Sequence, residues 1–134
     1  MALLKHETLP VKTSADIVLV RQVARTWASE IGLGLVDLTK LVTAASELAR
    51  NTLDHGRGGN VRFEMLNDGP RRGIRLIFED QGPGIANIEL AMKDGYTTGS
   101  GLGLGLSGSR RLVNDFEISS KVGEGTRVAI TRWK

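Results

Sequence analysis

The sequence predicts one domain with a two-layer α/β sandwich fold, in which helices pack on antiparallel strand pairs. A chain of 134 residues is long enough for one hydrophobic core but not for two. Two long stretches carry apolar residues at every third or fourth position, as amphipathic helices do. Four shorter stretches alternate apolar and polar residues, as half-buried strands do, and turn sequences join them in two pairs.

The first 55 residues are predicted to form one strand and two helices. Residues 3–11 predict the strand, which a proline and a polar segment end. Thr13 and Asp16 have the spacing of a capping box, so the first helix is expected to begin there. The second helix, at 36–55, is the longest, and the glycines that follow it stop it.

The remainder is predicted to contain two strand–turn–strand units with a glycine-rich region between them. Glycine is too frequent from 82 to 108 for one rigid element, although a short helix interrupts that region. The predicted elements are strands at 61–65 and 74–78, helices at 87–92 and 106–114, and strands at 116–120 and 128–132.

The composition excludes several classes of protein. No window approaches the roughly 18 to 20 apolar residues that cross a bilayer, and the N-terminus lacks an apolar signal core, so we expect a cytoplasmic protein without membrane contact. Without cysteine, the chain can form no disulfide, zinc–thiolate site or thiol nucleophile. The net charge is +3, but the basic residues are dispersed, and we therefore expect no nucleic-acid partner.

Three polar residues share one face of the predicted second helix because they are spaced four apart: Glu47, Asn51 and His55. Mg²⁺ prefers oxygen ligands and keeps several waters, which makes Asn51 a candidate metal ligand. Glu47, one turn earlier, could orient a hydroxyl or a water for attack on a terminal phosphate. Each residue alone is more often a solvated helix residue, and His55 suits a capping role better than that of a base.

The motif D-Q-G-P-G-I at 80–85 follows directly on a predicted strand. Asp80 could accept a hydrogen bond from an exocyclic amine such as that of adenine. Gly82 and Gly84 would let the backbone approach a flat ring without a Cβ clash. The same pattern is also an ordinary turn, and the motif alone favours the turn.

A glycine-rich stretch, Y-T-T-G-S-G-L-G-L-G-L at 96–106, lies immediately before a predicted helix. Successive N–H groups in a loop that enters a helix can bind an anion. No Gly-Lys-Ser/Thr follows and no strand precedes it, so neither a P-loop nor a Rossmann fingerprint fits. The last motif, G-E-G-T at 123–126, is by itself most simply a hairpin turn.

Four segments, E-L-A-R-N at 47–51, D-Q-G-P-G-I at 80–85, G-L-G-L-G-L at 101–106 and G-E-G-T at 123–126, occur in this order. Together they resemble the N, G1, G2 and G3 boxes of the GHKL ATPase superfamily. The resemblance covers almost the whole chain. It implies that 1–134 is a single ATP-binding kinase domain of the Bergerat type, with a mixed, largely antiparallel sheet covered by helices on one face.

Within that superfamily, the short chain, the compressed lid at 93–101 and the segment at 107–126 resemble the RsbT-type switch kinases of bacterial stressosomes. The resemblance implies Mg²⁺-dependent transfer of the ATP γ-phosphate to a serine or threonine of an RsbS- or RsbR-like STAS-domain protein. The released kinase would then activate an RsbU-like phosphatase of the PP2C type. Anti-sigma-factor kinases share the boxes and the size, so sequestration of a sigma factor stays open, as does a non-catalytic nucleotide-gated adaptor.

The resemblance also implies roles for individual residues. Asn51 would bind Mg²⁺, Glu47 would be the base or orienting group, and Asp80 would contact adenine. Thr126 would support the adenine side through Asp80 or water. The other implied nucleotide-binding residues are Gly82, Gly84 and Ile85 near adenine, then Thr97, Thr98, Gly99, Gly101, Leu102, Gly103, Leu104 and Gly105, of which the last three glycines would lie by the phosphates.

Overall fold

A computed structural model of the chain describes residues 1–93 and 105–134. The helices and strands within these residues agree closely with those expected from the sequence, and most differ at an end by only a few residues. They are β1 (Ala2–Val11), α1 (Ser14–Glu30), α2 (Leu35–Asp54), β2 (Gly59–Asp68), β3 (Arg71–Asp80), α3 (Ile88–Ala91), α4 (Gly105–Arg111), β4 (Asp115–Lys121) and β5 (Gly125–Trp133).

The strands form one five-stranded sheet in the order β1-β2-β3-β5-β4. Tight turns join β2 to β3 and β4 to β5, which makes both pairs antiparallel hairpins. The β1–β2 and β3–β5 pairings are antiparallel as well. All strand pairings in the described part of the chain are therefore antiparallel. The parallel pairing that a mixed sheet would contain is not found there.

The two long helices pack on one face of this sheet, as the resemblance implied. The capping box is confirmed, because the Asp16 N–H donates to Thr13 Oγ1 and the Thr13 N–H donates to Asp16 Oδ2. The Trp27 ring of α1 contacts the fully buried Phe63 of β2, with 5.6 Å between ring centroids. Burial of each such large side chain stabilises the fold by about 1.5 to 3 kcal/mol.

The α2 helix carries the longest apolar stripe and forms the middle of the core. Leu41, Ala45, Leu48 and Thr52, the residues expected on one face, are all buried. The helix ends at Asp54, and a tight glycine-rich turn leads directly into β2. Within the described residues, no helix combines the length and the apolar character that crossing a bilayer requires.

The α4 helix is shorter than expected, since it ends at Arg111 and not at 114. Asn114, which follows it, hydrogen-bonds to β5 instead of continuing the helical ladder. The Asn114 N–H donates to the Thr131 carbonyl at 2.9 Å, and Asn114 Oδ1 accepts from the Trp133 N–H at 2.7 Å. These bonds to β5 replace the last helical turn that the apolar spacing predicted.

Candidate functional site

A cavity of about 470 Å³ lies between α2, the loop after β3, α3, the start of α4 and β5. Its wall is mainly apolar, with a few polar side chains at its edge. The lining residues are Leu48, Asn51, Thr52, His55 and Gly56 from α2 and its end, Phe78 and Asp80 from β3, Pro83, Gly84, Ile85, Ala86 and Asn87 from the following loop, Leu90 and Ala91 from α3, Gly105 and Leu106 from α4, and Thr126 and Val128 from β5.

Two of the polar residues predicted on α2 are placed differently with respect to this cavity. Asn51 is half-buried and lines it. Glu47, one helical turn earlier, is only 6% exposed and is not among the lining residues. Its carboxylate has no hydrogen-bond or ion-pair partner among residues 1–93 and 105–134. The carboxylate is therefore not tied up in a structural contact with the described residues.

Asp80 is held at the end of β3 by two main-chain donors. Its Oδ1 accepts from the Gly82 N–H at 3.0 Å and from the Thr126 N–H at 3.2 Å. The expected link between Thr126 and Asp80 is therefore present as a direct hydrogen bond. In the described part of the chain Oδ2 accepts no hydrogen bond, so one carboxylate oxygen is available to a ligand in the cavity.

Because Gly56 has no side chain, the Asp80 carboxylate can lie directly against its backbone. A Cβ atom at this position would overlap Asp80 Cγ and Oδ2. The residue comes directly after the C-terminal cap of α2, where glycine commonly ends helices. Sequence reasoning assigned Gly56 only to the end of the helix and missed its contact with the carboxylate.

Gly82 makes a packing contact that the sequence did not indicate. It does not line the cavity, and a Cβ there would lie 2.7 Å from Gly56 Cα. Gly82 is therefore needed where the loop packs against the end of α2, and its place beside a flat ring stays a prediction. Gly84 does line the cavity, with a φ of 76°, and a Cβ there would overlap the Lys121 carbonyl. Ile85 lines the cavity as expected.

Ser120 of β4 joins the two sides of the site, and no motif in the sequence indicated it. Its hydroxyl accepts from the Ile85 N–H at 2.7 Å and donates to the Gly125 carbonyl at 3.0 Å. It also lies 2.8 Å from Thr126 Oγ1. The strand alternation around Ser120 was visible in the sequence, but its position opposite Thr126 became apparent only from the register of β4 and β5.

Most of the predicted phosphate-side residues lie outside the described part of the chain. Gly105 is the exception, since it begins α4 and lines the cavity. His55, which was given no role, lines it as well. The predicted residues outside the described ranges are Thr97, Thr98, Gly99, Gly101, Leu102, Gly103 and Leu104.

The lining of the cavity suits a ligand with a flat apolar ring and a hydrogen-bond donor. Phe78, Val128 and Ile85 provide apolar walls, and the free oxygen of Asp80 provides an acceptor. The amide oxygen of Asn51 adds a hard donor atom of the kind that Mg²⁺ binds together with waters and phosphate oxygens. The donor set therefore fits a nucleotide with its magnesium ion.

Residues 36–134 match the family model of histidine kinase-, DNA gyrase B- and HSP90-like ATPases. The match covers well over half of the chain and includes every residue assigned above to the cavity wall. The chain belongs to this family of GHKL ATPases, whose members bind ATP.

The relatives of known activity give a narrower assignment. The chain is 43% identical to the serine/threonine-protein kinase RsbT of Bacillus subtilis (strain 168) over 123 residues, which cover 92% of each chain. It is 32% identical to the anti-sigma F factor of Clostridium kluyveri over 112 residues, 79% of this chain and 78% of that one. It is an RsbT-like serine/threonine kinase of the partner-switching type.

Two solved structures have the same fold. The RsbU and RsbW domains of Rv1364c from Mycobacterium tuberculosis align with a TM-score of 0.65 and 26% identity over 98% of this chain. The alignment covers 32% of that longer chain. The mycobacterial sensor histidine kinase MprB aligns with a TM-score of 0.58 and 21% identity over 96% of this chain and 97% of its own, and it shows the fold alone.

Proposed function

We propose that this chain is a cytoplasmic Mg²⁺-ATP-dependent protein kinase that phosphorylates a serine or threonine on a STAS-domain antagonist. Once released from that antagonist, it activates a phosphatase of the PP2C type. The observation that carries the proposal is the cavity beside Asp80 and Asn51, in a chain that is 43% identical to RsbT over most of its length.

Adenine recognition is assigned to Asp80 and its surroundings. The free Oδ2 would accept from the exocyclic amine, while the Gly82 and Thr126 main-chain N–H groups hold the other oxygen. Phe78 and Val128 supply apolar surface for the ring. Hydrogen bonds to a half-buried acceptor of this kind favour a base that presents a donor, because an acceptor there would leave Asp80 Oδ2 unpaired.

Asn51 is assigned as the protein ligand to Mg²⁺. When bound there, the ion would neutralise charge on the phosphates. The glycine-rich segment that ends at Gly105 is assigned to the phosphates because its successive N–H groups can donate to anionic oxygens. Gly105, the first residue of α4, lines the same cavity as Asn51.

Glu47 is assigned to the substrate hydroxyl. In the transfer step the serine or threonine oxygen attacks the γ-phosphorus, the bond to the β-phosphate oxygen breaks, and ADP leaves. Glu47 would accept the hydroxyl proton or orient the hydroxyl for attack. Its carboxylate has no hydrogen-bond or ion-pair partner among the described residues, which supports this assignment because the group stays available to a substrate hydroxyl.

Phosphorylation would exchange one partner for another. A phosphate at the STAS interface adds about two negative charges, which disrupt a contact that fits the neutral hydroxyl. The kinase surface is then free for the phosphatase, so that the two binding equilibria are linked. The presence of an RsbU domain beside an RsbW domain in one solved chain supports a phosphatase of the RsbU type as the second partner.

A second candidate is a kinase whose main task is to sequester a sigma factor. Several anti-sigma F factors, 28% to 32% identical to this chain, favour it. Both candidates use the same nucleotide site, and they differ in the partner that is bound after release.

A partner-exchange experiment separates these candidates. The purified chain is mixed with RsbS- and RsbR-like STAS proteins, then with Mg²⁺-ATP, and finally with an RsbU-like phosphatase or a sigma factor. We expect STAS phosphorylation, dissociation of that complex and activation of the phosphatase. Binding of a sigma factor without activation of the phosphatase would favour the second candidate. Tight ATP binding without phosphate transfer would indicate a nucleotide-gated adaptor.

A further inference from the structure

The Ser120 hydroxyl makes contacts that determine the direction of a neighbouring hydroxyl. A serine hydroxyl has one hydrogen to donate and two lone pairs that accept. Donation to the Gly125 carbonyl uses the hydrogen, and the Ile85 N–H uses one lone pair. The remaining contact is with Thr126 Oγ1 at 2.8 Å, and it can then form only if Thr126 donates. This arrangement makes three hydrogen bonds, whereas donation from Ser120 to Thr126 would lose the bond to Gly125.

The consequence for Thr126 is that its hydroxyl hydrogen is already used within the protein. Its oxygen can therefore only accept a hydrogen bond from a ligand. Thr126 lines the cavity together with Asp80, whose Oδ2 is also an unpaired acceptor in the described structure. Among the residues that the structure describes, Asp80 and Thr126 thus each present an acceptor to the cavity, and neither has a hydrogen to donate.

We propose that Ser120 is a positioning residue for base selection, which keeps Thr126 an acceptor and so favours a 6-amino purine over a 6-oxo purine. The inference rests on the proposed ATP site and adds a residue that does not itself contact the nucleotide. An amino group offers two hydrogens to the two acceptors. A 6-oxo group in the same place would face two acceptors without a donor, which is unfavourable when water is excluded.

The test compares the dissociation constants of ATP and inosine triphosphate, both with Mg²⁺, by isothermal titration calorimetry. These nucleotides differ in the 6-amino and 6-oxo groups that the inference concerns, and also at N1, which accepts a hydrogen bond in ATP and carries a hydrogen in inosine triphosphate. In Ser120→Ala the Thr126 hydroxyl can turn its hydrogen toward a 6-oxo group. We expect the preference for ATP to fall about tenfold relative to the unmodified chain. If Ser120 had a purely structural role, its loss would weaken the binding of both nucleotides equally and leave the ratio of their dissociation constants unchanged.

Three further variants provide controls. Ser120→Thr keeps a hydroxyl and should keep the ratio. Ser119→Ala removes an exposed hydroxyl from the next position of β4, on the opposite face, and should change neither affinity. Thr126→Val removes the acceptor without a change of shape and should lower the preference for ATP over inosine triphosphate. This variant tests the inference even if Ser120→Ala does not fold.

Two outcomes distinguish failure of this inference from failure of the ATP site. If the unmodified chain prefers ATP and both Ser120→Ala and Thr126→Val keep that preference, the role of Ser120 is wrong while the site stands. If the unmodified chain binds ATP and inosine triphosphate equally, the adenine contact of Asp80 is wrong, and the inference fails with it.

Discussion

Asn51 lies on α2 one turn beyond Glu47, and only Asn51 reaches the wall of the cavity. The two residues should therefore affect different quantities when they are replaced. Asn51→Ala removes the amide oxygen that is assigned to Mg²⁺. We expect ATP affinity to fall at least about tenfold in the presence of Mg²⁺ and to change little in its absence. Calorimetric titration with and without Mg²⁺ measures both.

Asn60→Ala is a suitable control for this variant, since Asn60 is an exposed residue of β2 away from the cavity wall. It should bind Mg²⁺-ATP as the unmodified chain does. Undiminished affinity of Asn51→Ala in Mg²⁺ would contradict the metal assignment.

Gly56→Ala tests the close packing behind Asp80. The new methyl group would overlap the carboxylate, so either Asp80 or the end of α2 must move. We expect ATP affinity to fall about tenfold or more and the free energy of unfolding to fall by about 1 to 3 kcal/mol. Gly34→Ala is the matched control, because a Cβ at Gly34 meets nothing within 4 Å. Equal effects of the two substitutions would show that the contact with Asp80 does not matter.

At the scale of single residues, the sequence predicted the side chains with distinctive chemistry better than those that support them. Asp80 and Thr126 stood in recognisable motifs, and the structure joins them by a hydrogen bond. Ser120 and Gly56 were not identified, because their roles depend on contacts between elements distant in sequence. The contact of Gly82 with Gly56 was missed for the same reason.

At the scale of elements, the β2–β3 hairpin carries a buried ion cluster on Glu64. Arg62 Nε and Arg75 Nε donate to its two carboxylate oxygens at 2.9 and 2.7 Å. Burial raises the pKa of Glu64, but the hydrogen bonds and charges of the two arginines outweigh it, so this pKa lies below its ordinary value. The ionised carboxylate consequently stabilises the folded state.

Because the pKa of Glu64 is lowered in the folded state, the free energy of unfolding depends on pH. The contribution of Glu64 is complete above the ordinary glutamate pKa of about 4.3 and is lost as the pH falls through the lowered value. We expect Glu64→Gln to reduce the free energy of unfolding by about 1 to 3 kcal/mol at pH 7, with a smaller difference from the unmodified chain in more acidic solution. Urea unfolding at a series of pH values measures this.

The exposed Glu117 of β4 offers a matched control, and Glu117→Gln should change stability little at any of these pH values. A difference between Glu64→Gln and the unmodified chain that stayed constant down to low pH would contradict the linkage.

The elements themselves were largely predictable. The apolar spacing of α1 and α2 and the alternation in β2, β3 and β5 come from each element facing one core, which is a local signal in the sequence. The end of α4 was not predictable, because Asn114 bonds to β5, and that contact depends on the tertiary fold. The strand order, with β5 between β3 and β4, came only from the structure.

At the scale of the whole molecule, the order of the motifs along the chain indicated both the fold and the site. The sheet and α2 bring the segments around Asn51, Asp80 and Thr126, which are far apart in sequence, to one cavity. The partners are less accessible to such reasoning, because the fold is shared by kinases that bind different proteins after release. The partner assignment therefore needs a binding experiment, whereas the proposed role of Glu47 is tested by phosphate transfer.

The most direct measurement is the rate of γ-phosphate transfer to a STAS-domain protein with radiolabelled ATP and Mg²⁺. It compares the unmodified chain, Glu47→Gln and the control Asp54→Asn, an exposed acid on the same helix. We expect transfer to a serine or threonine by the unmodified chain and by Asp54→Asn, and a loss of at least about a hundredfold in Glu47→Gln with ATP affinity preserved. Equal transfer by Glu47→Gln would contradict the role of Glu47, and absence of transfer by the unmodified chain would contradict the kinase assignment.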